Sequence, residues 1–339
     1  MKKWNFGMIG CGGIARFHAA ALQEMDNARL VCAASRTAEK AAAMASEFGC
    51  EWTRDYRALL ERTDIDIVNV TTSSGSHAFI GREVLEAGKH LVMEKPITMT
   101  EGEAQQLIDL ARSRGLVVSV ISQMRFEPYF QSVKRLLDEG KLGRLLLIEA
   151  GTPYSRSQEY YDSADWRGTI AEDGGALMNQ GIHQIDLLLW LGGPAKSVFG
   201  KIATMTHRME AEDMGVAVVE FINGAIGTIL STTSVKPGFP PYIHLYTDKG
   251  TVKLVGQSAE YWSVEGVEEP TSPNAQHSDG SSDPLAISHI YHRKQLEQLL
   301  QSMDNGLAPL VGGADGKRAV ELIRAIYASS ESGSKVCLL

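Results

Sequence analysis

A chain of 339 residues, 44% of them hydrophobic, is long enough for two domains with separate cores. Its formal net charge of -8, with no long basic run, speaks against a nucleic-acid binder. No apolar run approaches the ~18 residues that span a bilayer, and Met1-Lys2-Lys3-Trp4 leads directly into a strand, so neither a membrane segment nor a signal peptide is expected. Cys11, Cys32, Cys50 and Cys337 show no C-x-x-C spacing, which favours reduced thiols in a cytoplasmic protein. His289 and His292 stand three apart without a nearby carboxylate or third His, so no metal site is expected there.

Residues 6–9 are a short apolar run that leads into Gly10-Cys11-Gly12-Gly13-Ile14-Ala15 and a helix with Ala15, Ala19, Leu22 and Met25 along one side. In a strand, glycine turn and helix of this kind, backbone N–H groups and the helix N-terminus hold a pyrophosphate. Ala15 is an accepted small variant of the third glycine. Alone the motif is weak, and a second strand at 29–34 gives it context. That strand ends in Ala34-Ser35-Arg36, with Lys40 a turn further on. A carboxylate at this point would bind the ribose 2′-OH of NAD. A guanidinium suits a 2′-phosphate instead, so NADP is expected. The alternative sets Arg36 on the adenine and Ser35 on a plain ribose, which leaves NAD usable.

The alternation continues with a helix at 37–48, a third strand at 64–70, and the turn Thr71-Thr72-Ser73-Ser74-Gly75-Ser76-His77. A helix at 77–87, a strand at 90–93, a helix at 100–114 and a strand at 117–121 follow, with Thr100 and Glu103 as a capping pair. Val- and Ile-rich strands between helices imply a parallel, doubly wound sheet. Its ligand lies beyond the C-terminal strand ends, which gathers residues 10–15, 35–36, 71–77 and 94–96. In Glu94-Lys95-Pro96 a Lys precedes a Pro at a strand end, which fits a constrained peptide, cis among the options, holding the ammonium at a fixed point. A surface Lys in a turn is the alternative.

After Ile121 the character changes. Ser122-Gln123-Met124-Arg125-Phe126 leads into a helix at 128–139 and a strand at 144–151. The loop 152–173 carries Tyr154, Arg156, Tyr160, Tyr161, Trp166 and Arg167. Aromatic residues with interspersed Arg suit sugar faces and hydroxyls, and equally a subunit contact. Residues 173–193 read as one helix of about four or five turns, opened by Gly174-Gly175 and closed by Gly192-Gly193-Pro194. Within it Asn179, His183 and Asp186 fall at i, i+4 and i+7 on one face, while Leu177, Leu187, Leu188 and Trp190 supply the buried side. An amide, an imidazole and a carboxylate so placed can bind a hydroxylated substrate and move its proton. The plainer alternative is a satisfied, partly buried His oriented by Asp186. Strands at 196–205, 215–222, 225–233, 242–247 and 251–255 form an antiparallel run with an Asn223-Gly224 hairpin turn. Residues 257–283 read as a polar surface excursion, and helices at 285–304 and 314–331 close the chain.

The glycine turn, Ala87-Gly88-Lys89-His90, Glu94-Lys95-Pro96, and Gly174-Gly175 through His183 and Asp186 occur in one order along nearly the whole chain. In this the chain resembles the glucose–fructose oxidoreductase/inositol dehydrogenase/MocA (Gfo/Idh/MocA) family. The resemblance implies an α/β architecture: a Rossmann dinucleotide-binding domain over 1–122, then an α+β domain over 123–339 with a large, mostly antiparallel open sheet. Through that sheet a homodimer or homotetramer is implied. The implied activity is hydride transfer between NADP or NAD and a secondary alcohol or ketone of a sugar, cyclitol or sugar derivative.

On this reading Gly10, Gly12, Gly13, Ile14, Ala15, Ser35, Arg36, Lys40, Thr71, Thr72, Ser73, His77, Glu94, Lys95 and Gln123 bind the cofactor. Asn179, Asp186, Arg125, Tyr161, Trp166 and Arg167 meet the substrate, with a domain-linking salt bridge as the alternative for Arg125. Lys95 and His183 are the acid/base pair. An unperturbed His, at ~6.5 against ~10.4 for Lys, suits the base role at neutral pH. Lys95 then stabilises the developing alkoxide, and a depressed Lys95 pKa would interchange the roles. Inositol-dehydrogenase-like members carry Asp four residues before the His, so Asn179 removes a Lys–Asp–His relay. Asn179-Gln180-Gly181-Ile182-His183 is similar to the branch with UDP-N-acetyl-aminouronate 3-dehydrogenases, although generic sugar oxidoreductases share it. A glycosidase using NAD for transient oxidation and a non-catalytic NAD(P)-binding sensor are the competing classes.

Overall fold

Trp4–Ile9 forms β1, and all but one of its residues are buried, the signature of a strand covered on both faces. The computed structural model describes residues 2–270 and 288–338. Its contacts divide into two compact units, Met1–Gln123 with Ser288–Lys317, and Met124–Ile287 with Arg318–Leu339. In the first unit β1 is followed by α1 (Gly13–Gln23), β2 (Ala28–Ala34), α2 (Ala38–Phe48), β3 (Glu51–Thr53), α3 (Tyr56–Leu60) and β4 (Ile67–Val70). Then come α4 (His77–Glu86), β5 (His90–Met93), α5 (Glu101–Ser113) and β6 (Val118–Val120). The strands run β3-β2-β1-β4-β5-β6, each pair parallel. Order reverses between β1 and β4, the point where such sheets take their ligands.

Two elements of this unit go beyond the sequence pattern. β3 and α3 lie where no strand or helix was expected; β3 is short and mostly exposed, so no apolar run marks it. The helix Ile290–Asp304 also belongs here rather than with the second unit. Its Leu296, Leu299 and Leu300 share one core with Trp4, Phe6, Met8 and Leu22, and Gln295 bonds the backbone of Val120 and Ser122 at 2.7 and 3.0 Å.

The second unit holds α6 (Pro128–Asp138), β7 (Leu145–Pro153), α7 (Gln158–Asp162), α8 (Ile182–Gly192), β8 (Ala195–Ala203), β9 (Met214–Phe221) and β10 (Ile226–Thr232). It continues with β11 (Tyr242–Thr247), β12 (Gly250–Val255), β13 (Ser258–Val264), the helix Gly313–Ser332 from Arg318 on, and β14 (Val336–Cys337). Eight strands pair in the order β13-β12-β11-β7-β10-β9-β8-β14. All neighbours are antiparallel except β7 and β10. On one face Ala217, Val219, Ile229 and Leu245 are buried; Phe199, Val216, Val218 and Ile226 on the other are exposed. β13 occupies part of the stretch expected as a polar excursion. Its alternation is polar and it sits at the sheet edge, so it carries no apolar period. Residues 271–283 of that stretch, and 285–287 of the expected closing helix, lie outside the described residues.

Candidate active site

β1 runs into Gly10 at φ +101, where a Cβ would stand 2.7 Å from the Thr71 carbonyl oxygen. Conformation and space both demand glycine. Thr71, at the end of β4, braces this turn by donating from Oγ1 to the Gly10 carbonyl at 2.9 Å. Cys11 is buried 3.6 Å from the Ala34 carbonyl, and burial pushes its thiol up to about 11, which makes it filler rather than a nucleophile. Gly12 differs: nothing lies within 4 Å of where its Cβ would be. The chain's own packing therefore does not require glycine there. The open space lies over the first turn of α1, which Gly13, Ile14 and Ala15 form and no side chain caps. These residues fit a dinucleotide pyrophosphate. At the end of β2, Ser35 accepts from the Thr37 N–H at 3.2 Å, and Arg36 and Lys40 are exposed. Beyond β6, Gln123 keeps a buried Oε1 with no hydrogen-bond partner among the described residues, an acceptor suited to a ligand N–H.

The Lys95–Pro96 peptide after β5 is cis. Its neighbours Glu94 and His77, both expected beside the cofactor, are buried and make internal hydrogen bonds. The two ring nitrogens of His77 face the carbonyl oxygens of Pro96 and Thr72 at 2.7 and 3.2 Å, and burial lowers its pKa. Thr72 bonds Ser76 side chain to side chain at 2.6 Å, and the Ser73 carbonyl accepts from the Ser76 hydroxyl at the same distance. Glu94 Oε1 accepts from His18 Nε2 at 2.8 Å, and its other oxygen from the Lys95 backbone N–H at 3.1 Å. His18 Nδ1 accepts in turn from Asn69 Nδ2 at 2.9 Å. Donor atoms of His18, Glu94 and His292 all lie within 4.8 Å of one another. Within this cluster His18 Nε2 and Glu94 Oε1 are joined by a hydrogen bond of 2.8 Å. His18 and Asn69 were not singled out from sequence. The available signals were a polar residue inside the apolar run I-V-N-V and a His on the buried side of α1.

The stretch expected as one α-helix divides in two. Leu177–Gly181 is a π-turn and α8 follows. Gly181 N donates to the Ala176 carbonyl, five residues back, at 2.7 Å, and Ser231 Oγ donates to the same oxygen at 2.7 Å. Asn179 therefore stands on the π-turn, whereas His183 and Asp186 stand on α8. Asn179 and His183 are half-buried, whereas Asp186 is buried and faced by Arg125. Arg125 Nε and Nη2 donate to the two carboxylate oxygens of Asp186 at 2.7 and 2.6 Å. The pair is a bidentate bridge within the second unit, formed by two residues expected to meet the substrate. Asn179 Nδ2 donates to Asp173, whose other oxygen accepts from the Gly168 N–H at 2.8 Å. Asp173 thus fixes the Asn179 amide and the Trp166-Arg167-Gly168 turn together.

Tyr161 is buried, with its hydroxyl 2.8 Å from Thr233 Oγ1 and its pKa pushed up by burial, which makes it a strut of the loop rather than a presented phenol. The Arg167 guanidinium lies 4.2 and 4.6 Å from the ring centres of Tyr160 and Trp166. Its buried Nε has no hydrogen-bond partner among the described residues. A cation held between aromatic faces is pre-organised for a planar anion.

Glu212 secures the opening of the π-turn. Its carboxylate accepts from Leu177 N at 2.9 Å and from the Tyr327 hydroxyl at 3.1 Å. A Cβ on Gly175 would stand 1.9 Å from Glu212 Oε2, which explains the second glycine of the pair. Burial pushes Glu212 up to about 7. The folded pKa is raised, so this group's contribution to stability is complete below the unfolded value of ~4.3 and is lost as pH rises through the folded one. Chemical denaturation across that window is expected to show a falling stability, and Glu212→Gln to flatten the slope. An equal slope in the variant would refute the assignment.

Residues 4–122 match the family model described as an oxidoreductase family with an NAD-binding Rossmann fold, and 130–253 match the Gfo/Idh/MocA C-terminal domain. The solved WlbA dehydrogenase from Bordetella pertussis, in complex with NADH and UDP-GlcNAcA, is 31% identical. That similarity covers 100% of this chain and 99% of the other, with a TM-score of 0.88. The dTDP-3,4-didehydro-2,6-dideoxy-alpha-D-glucose 3-reductase of Streptomyces antibioticus is 31% identical over 66% of this chain and 68% of its own length. The myo-inositol 2-dehydrogenase of Thermotoga maritima is 25% identical over 98% of each. Among the described residues no helix is long and apolar enough to cross a membrane. With its two domain types matched in order and a full-length relative at 31% identity, the chain belongs to the Gfo/Idh/MocA family of oxidoreductases.

Proposed function

We propose that this oxidoreductase oxidises a secondary hydroxyl of a sugar derivative, or reduces the corresponding ketone, using NAD(H) or NADP(H). The observation that carries the reading is full-length similarity to a dehydrogenase solved with NADH and UDP-GlcNAcA. When bound, the nicotinamide supplies the hydride acceptor. His183 takes the hydroxyl proton, and Lys95 donates a hydrogen bond to the same oxygen as negative charge develops on it. Asn179, oriented by Asp173, binds a neighbouring hydroxyl. The substrate class to test first is an anionic nucleotide sugar, because Arg167 between Tyr160 and Trp166 suits a carboxylate or phosphate.

The test is a screen of sugars, cyclitols, uronates and UDP-linked uronates for change in nicotinamide absorbance with both cofactors. Turnover strongest on an anionic nucleotide sugar supports the proposal. Absence of turnover together with tightly co-purifying NAD points instead to a glycosidase with transient oxidation. For the cofactor, Arg36→Ala is expected to weaken NADP about tenfold or more and leave NAD unchanged, read by Trp fluorescence titration. Equal NADP binding in the variant removes the role of Arg36. We also propose that the exposed apolar face with Phe199, Val216, Val218 and Ile226 is covered by a second copy of the chain. A monomer in sedimentation equilibrium would end that proposal. Four free cysteines suit a reducing compartment such as the cytoplasm, and disulfides found in the isolated protein would count against it.

A further inference from the structure

We infer that Asn69, His18 and Glu94 form a buried positioning relay that holds Lys95 in place and keeps its ammonium charged. The inference rests on the proposed function, in which Lys95 serves the substrate oxygen. Asn69, His18 and His292 are fully buried and Glu94 is 5% exposed, so these polar groups sit where a packed apolar core would otherwise be. Burying polar groups is costly unless they are hydrogen-bonded, and both ring nitrogens of His18 and both carboxylate oxygens of Glu94 have partners. The bonds run in one direction: Asn69 Nδ2 to His18 Nδ1 at 2.9 Å, His18 Nε2 to Glu94 Oε1 at 2.8 Å, and the Lys95 backbone N–H to Glu94 Oε2 at 3.1 Å. With its Nδ1 occupied as an acceptor, His18 keeps its proton on Nε2, facing the carboxylate.

The chain of bonds therefore ends on the backbone of the residue that begins the cis peptide. Its charge ends there as well. Burial alone would raise the Glu94 carboxyl, yet the hydrogen bond from His18, with His292 and Lys95 nearby, holds it down to about 2. A permanent anion one residue from Lys95 favours the ammonium over the free amine. His77 on α4 also interacts electrostatically with Glu94 and Lys95, and burial lowers its own pKa. Lys95 is then a standing hydrogen-bond donor and not a base, which leaves proton abstraction to His183 and removes the interchange of roles that the sequence allowed.

The test measures the titration of Lys95 without any substrate. Full-length protein is trace-labelled with an amine-acylating reagent over a pH series, and the rate at Lys95 is read by peptide mass spectrometry. Glu94→Gln is expected to lower the Lys95 midpoint by about one unit or more, so that labelling below the midpoint is about tenfold faster than in wild type. Superimposable curves in wild type and in a Glu94→Gln variant that still binds nicotinamide overturn the relay. Should that variant fail to fold, His18→Leu and His18→Gln give the same comparison. Loss of the Nε2–H speeds Lys95 labelling, and a Gln N–H in its place restores the wild-type curve; two equal curves overturn the proposal. Because no turnover is involved, a failed substrate screen leaves this result standing, and a failed relay leaves the oxidoreductase reading standing.

Discussion

Replacing His183 with Ala is expected to lower turnover on the true substrate by a factor of about 10²–10⁴ and to leave nicotinamide binding intact. The reason is separation of roles. The glycine turn, Arg36 and Gln123 lie in the first unit, whereas His183 sits half-buried near the start of α8 in the second. Removing the imidazole would therefore take away the proposed proton acceptor without touching the turn proposed to hold the pyrophosphate. Lys95→Ala is expected to have a comparable effect through a different cause, the loss of the proposed donor to the developing alkoxide, about 10²–10³ in turnover. The two are distinguished by added small bases, which rescue the missing proton acceptor of His183→Ala and not the missing donor of Lys95→Ala. Wild-type turnover in His183→Ala at neutral pH would remove His183 from the mechanism.

The first unit was legible because its physics is local. Buried parallel strands must be apolar along their length, and the positive φ of Gly10 admits little but glycine, so β1, the turn and α1 are written in consecutive residues. β3 and β13 were missed for the converse reason. Both are edge strands whose pairing comes from a neighbour's backbone rather than from an apolar run of their own. The helix Ile290–Asp304 reads correctly as a helix, but its Leu296, Leu299 and Leu300 do not say which core they enter.

At the site, residue types were readable and their partners were not. His183 and Asn179 are read from the resemblance, Asn179 as a departure from the members that carry Asp four residues before the His. The π-turn that carries Asn179 depends on Ser231 of β10 bonding the Ala176 carbonyl and on Glu212, just ahead of β9, bonding Leu177 N, both well beyond it along the chain. No local periodicity encodes those contacts. Asp173 and Glu94 lay inside recognised motifs, yet what their carboxylates do is decided by Asn179 and Gly168 in one case and His18 in the other.

Asp186→Ala is expected to destabilise the second unit by about 3–5 kcal/mol, because it leaves the Arg125 guanidinium buried without its anion. The two side chains are 3% and 6% exposed, so solvent screens little of that loss. Trp190, whose ring centre lies 5.4 Å from the Arg125 guanidinium carbon, compensates only in part. The converse experiment separates structure from substrate binding. Replacing both partners with apolar residues of similar size, Arg125→Met with Asp186→Leu, removes two desolvation penalties along with one attraction, and such exchanges are often neutral or stabilising. Thermal unfolding of the double variant is expected to return close to wild type, and its KM to stay within a few-fold of wild type. A substrate role for either residue predicts another outcome: stability recovers while KM stays raised, since apolar side chains cannot bond a hydroxyl. An Asp186→Ala protein that melts with wild type would refute the buried bridge itself. Between these results lies the distinction the sequence left open, a charged face offered to the substrate or a clamp that holds α8 so that His183 is the group left to meet it.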